Sequence, residues 1–232
     1  MERIVGWLDK TLNVAAFDDV SNNGVQVART GHDVSCVAFA VDASAASVAS
    51  ASEIGAQLLV VHHGISWGGG IRRIDGGVYN VVKAAIAANI AIYACHLPLD
   101  AHPTLGNNAC LARLLGLSAK RPAFSYHGNV IGCVGESRGS VRVSIGHTVV
   151  ELPRRGKVGV CSGGAGEFAE EAKRLGCELF VTGEANWGET VAAQNCGMRM
   201  VCCGHFETEV FGVRALAKAM KRALRIETVD LT

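Results

Sequence analysis

The sequence predicts an α/β protein built from two pseudo-symmetric halves with largely parallel strands. Three observations lead there. Short β-rich apolar runs alternate with alanine- and leucine-rich helical stretches, the signature of parallel strands covered on both faces. Glycine is abundant at 28 residues and proline scarce at 4, which favours tight strand-to-helix turns over rigid linkers. Segments of the first half also recur in the second at a fixed spacing.

Taken in order, MERIVGWLDKTLN at the N-terminus reads as an amphipathic helix and not as a signal peptide. Strands are expected at Ser35–Val41, Gln57–His62, Ile90–Cys95, Val158–Cys161, Leu179–Thr182 and Met198–Cys203. Helices are expected between them at Ser44–Ile54, Gly77–Ala88, Glu167–Leu175 and Val210–Ala223. The stretch from about Ala119 to Glu151 carries valines and glycines without a helical period, and reads as a β-rich connection. The expected organisation is therefore residues 1–118, a connection over 119–151, and a second half over 152–232, packed as one globular unit.

The repeat is visible in two places. GAQLLVVHHG from Gly55 resembles GCELFVTGEA from Gly176, and the preceding strands VAFAVD from Val37 and VGVCSG from Val158 stand at the same separation of 121 residues. HLPLD from His96 resembles HFETE from His205 at a separation of 109, the difference matching the longer first-half loop from Ile65 to Gly76. If the repeat is real, a pair of such halves is expected to hold a site between them.

Composition excludes several classes. Hydrophobic residues make up 49% and charged residues 19%, too apolar for a disordered chain. The formal net charge is +1 with no basic stripe, so no dedicated nucleic-acid surface is evident. No run of 18 apolar residues occurs, so no membrane span is expected and the cytoplasm is the expected location. The nine cysteines form no CxxC pair, and several, such as Cys36, Cys95 and Cys202, sit inside apolar runs. They read as small buried hydrophobes, with Cys203 alone close to the residues considered next.

Those residues lie just beyond strand ends, where functional side chains of parallel sheets collect. His62 and His63 end the run LLVV. Alternation along a strand would point them to opposite sides, so that they could address two different ions. His205 and Glu209 follow MRMVCC at a spacing that shares one helix face, with Cβ atoms roughly 5–6 Å apart. His96 and Asp100 repeat that spacing after IAIYAC. Asp100 can supply a carboxylate oxygen, whereas His96 is open between ligand, hydrogen-bond partner of a ligand and proton carrier. Glu184, in Thr182-Gly183-Glu184, is open between general base, anchor and helix cap. Backbone-bonded histidines and capping carboxylates are the alternatives for each pair alone. Together, mixed imidazole and carboxylate suits zinc, manganese, iron or nickel. The Ser162–Gly166 turn lacks the spacing of a dinucleotide or Walker loop, which favours close packing over phosphate binding. Arg72 and Arg73 read as solvated charge or as contacts for a substrate anion.

Asn22-Asn23-Gly24-Val25-Gln26-Val27, LLVVHHGISWGG, YACHLPLDAHPTLGNNACLARLLGL, LFVTGEANWGE and CCGHFETEVFGVRALA occur in this order. With these anchors nearly the whole chain resembles the NIF-three-like dinuclear metal family, the GTP cyclohydrolase 1 type 2 homologues, in the short form without a large inserted domain. The resemblance implies two divalent ions per chain at His62, His63, Asp100, His205 and Glu209, with the glutamate bridging. It also implies a toroidal homohexamer with its metal sites facing an internal cavity. The expected activity is hydrolytic, of GTP cyclohydrolase type, with metal-activated water attacking a nucleotide or similar small molecule and with His96 or Glu184 moving protons. A phosphoesterase on the same ions and a non-enzymatic metal-binding ring are the alternatives. No residue in the chain selects guanine.

Overall fold

A computed structural model describes residues 1–232. In chain order the elements are α1 (Glu2–Leu12), β1 (Gly24–Val27), β2 (Cys36–Asp42), α2 (Ala45–Glu53), β3 (Leu58–His63), α3 (Gly76–Ala88), β4 (Ala91–Ala94), α4 (Leu97–Ala101), α5 (Asn107–Leu114), β5 (Ser118–Tyr126), β6 (Asn129–Ser137), β7 (Arg142–Ile145), β8 (Thr148–Glu151), β9 (Gly156–Gly164), α6 (Ala169–Arg174), β10 (Cys177–Glu184), α7 (Trp187–Asn195), β11 (Met200–Cys202), α8 (His205–Leu224) and β12 (Glu227–Asp230). They fall into two compact units, Met1–Leu99 with Val213–Thr232, and Asp100–Gly212. No helix is long and apolar enough to cross a membrane.

The first unit holds a five-stranded sheet in the order β1-β4-β3-β2-β12. Only the β1–β4 pair is antiparallel. β2, β3 and β4 are buried along almost their whole length, as central parallel strands covered on both faces must be. One apolar layer gathers Val48 and Ala51 of α2, Val81 and Ala85 of α3, and Leu59, Val61 and Ile92 of the strands. Helix α2 starts at a reciprocal cap, in which the Ser44 hydroxyl accepts from Ser47 N and the Ser47 hydroxyl from Ser44 N. Helix α3 stops where Asn89 turns left-handed at φ 52°.

The second unit holds the order β11-β10-β9-β6-β5, with β9, β10 and β11 parallel and β6 and β5 added antiparallel. The stretch without helical period thus becomes β5 and β6 of this sheet plus a separate β7–β8 hairpin. Its core brings Leu111 and Leu115 against Val158, Val160, Leu179 and Val181.

The repeat extends to strand register. Val37 pairs with Leu58, and 121 residues on Val158 pairs with Leu179; Phe39 with Val60 is likewise matched by Val160 with Val181. Equal separation and equal register in two parallel pairs make the halves structural repeats. The short helices α4, α5 and α7 and the strands β1 and β12 were not read from the sequence. β12 joins β2 from the far end of the chain, a pairing that no local pattern encodes.

Candidate metal centre

In the first unit three histidines converge at the carboxyl edge of the sheet. His62 and His63 close β3, and His96 follows β4. Their ring centroids are 4.5 Å apart for His62–His63, 5.1 Å for His62–His96 and 5.7 Å for His63–His96. One ligand nitrogen from each can be chosen so that all three lie within 4.8 Å of one another. β3 ends at His63, and the ring is drawn to the neighbouring strand, where Nδ1 lies 2.8 Å from Oδ1 of its register partner Asp42.

Each ring is held by its Nδ1. His62 Nδ1 lies 2.9 Å from the Cys95 carbonyl oxygen, and His96 Nδ1 lies 2.8 Å from Asp19 Oδ1. With the Nδ1 proton donated to an oxygen, Nε2 carries the lone pair a cation needs. Asp19 also accepts from the backbone N–H groups of Ser21 and Leu97 and from the Asn23 amide. Burial by itself would raise its pKa, but the hydrogen bond and charge of His96, with Asn23 and Ser21, outweigh that and hold it below the ordinary carboxylate value. The loop after β3 is fixed by Gln26, whose Oε1 accepts from Ile65 N and Ser66 N. A Cβ on Gly64 would press on the Gln26 amide, so a larger residue there would displace this anchor.

In the second unit His205 opens α8 and meets two carboxylates. Its Nδ1 lies 2.8 Å from Glu184 Oε1, and its Nε2 lies 3.2 Å from Glu209 Oε1. Glu184 ends β10 and is largely exposed, whereas Glu209 is 2% exposed. The hydrogen bond to Glu209, opposed by burial and reinforced by Glu209's charge and by Glu184, raises the His205 pKa to about 9.

Glycine makes this approach possible. Gly163, at φ +67°, would as alanine put Cβ 2.5 Å from Glu209 Oε1 and 3.3 Å from His205 Nε2. Gly183 would put one 2.9 Å from His205 Cα. Of the Ser162–Gly166 segment, Ser162 to Gly164 end β9 and Gly166 opens a 3-10 turn, and the amides of Ser162 and Gly163 serve the fold. Ser162 N donates to Asn108 Oδ1 and Gly163 N to Thr208 Oγ1, which ties α8 to the strand. Close packing accounts for the glycines of this segment.

Asp100 is buried in the second unit, where its Oδ1 accepts from Asn107 Nδ2 at 2.8 Å and Ser162 Oγ at 3.2 Å. Asn107 in turn accepts from Gly212 N. Arg72 and Arg73 are exposed. Cys203 is buried in the second core, its thiol pushed up to about 11 by burial, and all nine cysteines are free. Sequence reasoning missed Asp19, Asp42, Asn107, Ser162 and Thr208. Asp42 had a signal, a carboxylate ending the strand next to a histidine pair, but Asp19 lies in a loop with none.

The donor set fits a divalent cation. It is imidazole and carboxylate without thiolate, and all four histidines have Nδ1 fixed by oxygen, the arrangement that orients metal-binding imidazoles.

Known proteins resemble this chain along nearly its whole length. The chain is 38% identical to a GTP cyclohydrolase 1 type 2 homolog of Pyrococcus horikoshii over 98% of this chain and 96% of the relative. It is 36% identical to one of Escherichia coli over 91% and 89%. Among solved structures, protein ybgI, described as of unknown function, superimposes with a TM-score of 0.86 at 30% identity, covering 99% of this chain and 96% of that one. TTHA1606 from Thermus thermophilus gives 0.80 at 30% identity, covering 100% and 97%. The family described as Duf34/NIF3 (NGG1p interacting factor 3) matches residues 1–232, and the chain belongs to that family.

Proposed function

We propose that this chain is a cytoplasmic, metal-dependent hydrolase acting on a small molecule such as a nucleotide, and that it works as a homohexamer. His62, His63, Asp100, His205 and Glu209 would hold two divalent ions. The observation that carries the reading is the fixing of Nδ1 on every histidine concerned, which leaves Nε2 as the ligand atom. The relatives' name, GTP cyclohydrolase 1 type 2 homolog, supports a hydrolytic reaction on a nucleotide.

A divalent pair, when bound, supplies Lewis acidity and an activated water near neutral pH. The chain's own residues do the rest. Cys95, Asp42 and Glu184 orient His62, His63 and His205. Asn107 and Ser162 fix which Asp100 oxygen is engaged in the fold. His96, backed by the ionised Asp19, is suited to accept and return a proton at Nε2, as histidine–carboxylate pairs do. Glu184 positions His205 and is the second candidate for carrying a proton.

Elemental analysis of gently purified protein, wild type and Glu209→Ala, tests the ligand set. About two ions per wild-type chain and a clear loss in the variant, with circular dichroism unchanged, is the expected result. Equal metal content in the two proteins would remove Glu209 from the set. Offering GTP and a generic phosphodiester, and following formate and phosphate, then separates ring opening from phosphoester hydrolysis.

A further inference from the structure

The second unit contains a cavity of about 460 Å³ whose lining includes Asp100, His102, Lys120, Arg121, Pro122 and Ile131. Its size is in the range of small-ligand pockets, roughly 300–1,000 Å³. We propose that this cavity beside Asp100 is the substrate pocket, binding a small molecule with a flat apolar body and an anionic group. The proposal deepens the hydrolase reading above and rests on it for the identity of the reacting site.

Three features assign the chemistry. Ile131 and Pro122 give the cavity an apolar wall that suits a ring. Lys120 and Arg121 bring two cations to the same cavity, although neighbours on a regular strand point to opposite faces. A break in β5 permits it: Ala119 is left-handed at φ 47°, and the pairing with β6 slips between Ser118 and Arg121. Lys120's field reaches the cavity wall, since it opposes the rise to about 11 that burial imposes on the Cys133 thiol there. His102 also lines the cavity. Its Nδ1 accepts from Thr104 N at 3.2 Å and Leu105 N at 3.0 Å, so the neutral ring carries its proton on Nε2.

Cations and an apolar wall next to a buried carboxylate recognise an anionic ring compound better than a neutral or purely ionic one. The carboxylate itself is turned by Asn107 and Ser162 and is not offered as an anion contact.

Isothermal titration calorimetry on the full chain, metal-loaded and metal-stripped, tests this with 1-naphthylphosphonate, inorganic phosphate and 1-naphthol as probes. The stripped protein should bind 1-naphthylphosphonate more tightly than either fragment. The double variant Lys120→Ala with Arg121→Ala should weaken that binding at least about tenfold while metal content stays at the wild-type level. Ala109→Phe, on the helix that lines the cavity, should weaken it as well. Unchanged affinity in the double variant, or phosphate binding as tightly as the naphthyl compound, would overturn the pocket. If instead the wild-type chain takes up no metal, the hydrolase reading fails, and the lysine and arginine dependence in stripped protein still decides the pocket.

Discussion

Replacing Gly163 by alanine tests the second-unit ligand pair without touching a ligand. Two costs can be worked from the structure. The residue sits at φ +67°, where a non-glycine side chain costs about 1–2 kcal/mol. The added Cβ would lie 2.5 Å from Glu209 Oε1, so the carboxylate must retreat by roughly an ångström to restore ordinary contact. Gly176→Ala separates the two effects. Gly176 has a similar φ of +78°, but a Cβ there meets only Lys157 Nζ at 3.8 Å. Backbone strain should cost each variant about 1–2 kcal/mol, a fall in Tm of several degrees for a chain of this size, and Gly163→Ala should lose at least as much as Gly176→Ala. Only Gly163→Ala should also lose metal, at least about tenfold in affinity, because a ligand displaced by an ångström no longer fits a shared ion. Scanning calorimetry and metal titration read the two quantities separately. Wild-type metal affinity in Gly163→Ala, with Gly176→Ala equally destabilised, would refute the claim that Glu209 must sit against the Gly163 backbone to bind.

Two further outcomes are expected. Asp19→Ala deprives His96 Nδ1, two backbone N–H groups and the Asn23 amide of one acceptor, and should cost about 2–4 kcal/mol in denaturant unfolding; a loss below about 1 kcal/mol would mean that water replaces the carboxylate without penalty. Ser44→Ala removes the reciprocal cap of α2 and should cost about 1 kcal/mol with metal content unchanged, which checks that metal loss in other variants is not a general effect of destabilisation.

Much of the fold was legible because its cause is local. LLVV and LFVT are apolar on both faces, so they had to be central strands, and the helices between them carry their own caps and stops. β12 was not legible, since its pairing with β2 joins residues nearly two hundred positions apart and its sequence ETVD is unremarkable alone. The extent of β9 was misjudged for a related reason. Glycines read as a turn, whereas Gly163 and Gly164 continue the strand so that His205 and Glu209 can approach it.

The sequence by itself determined the donor chemistry: which strand ends carry imidazole and carboxylate, and that the two halves repeat. Those follow from residue type and spacing, which short-range geometry turns directly into strands, helices and faces. Only the tertiary structure decided how each donor is aimed. Asp42 reaches His63 through strand register, Asp19 reaches His96 across 77 residues of chain, and Glu184 reaches His205 across 21. A hydrogen bond fixes a ring only when its partner arrives from elsewhere in the fold, and the linear sequence holds no record of that arrival.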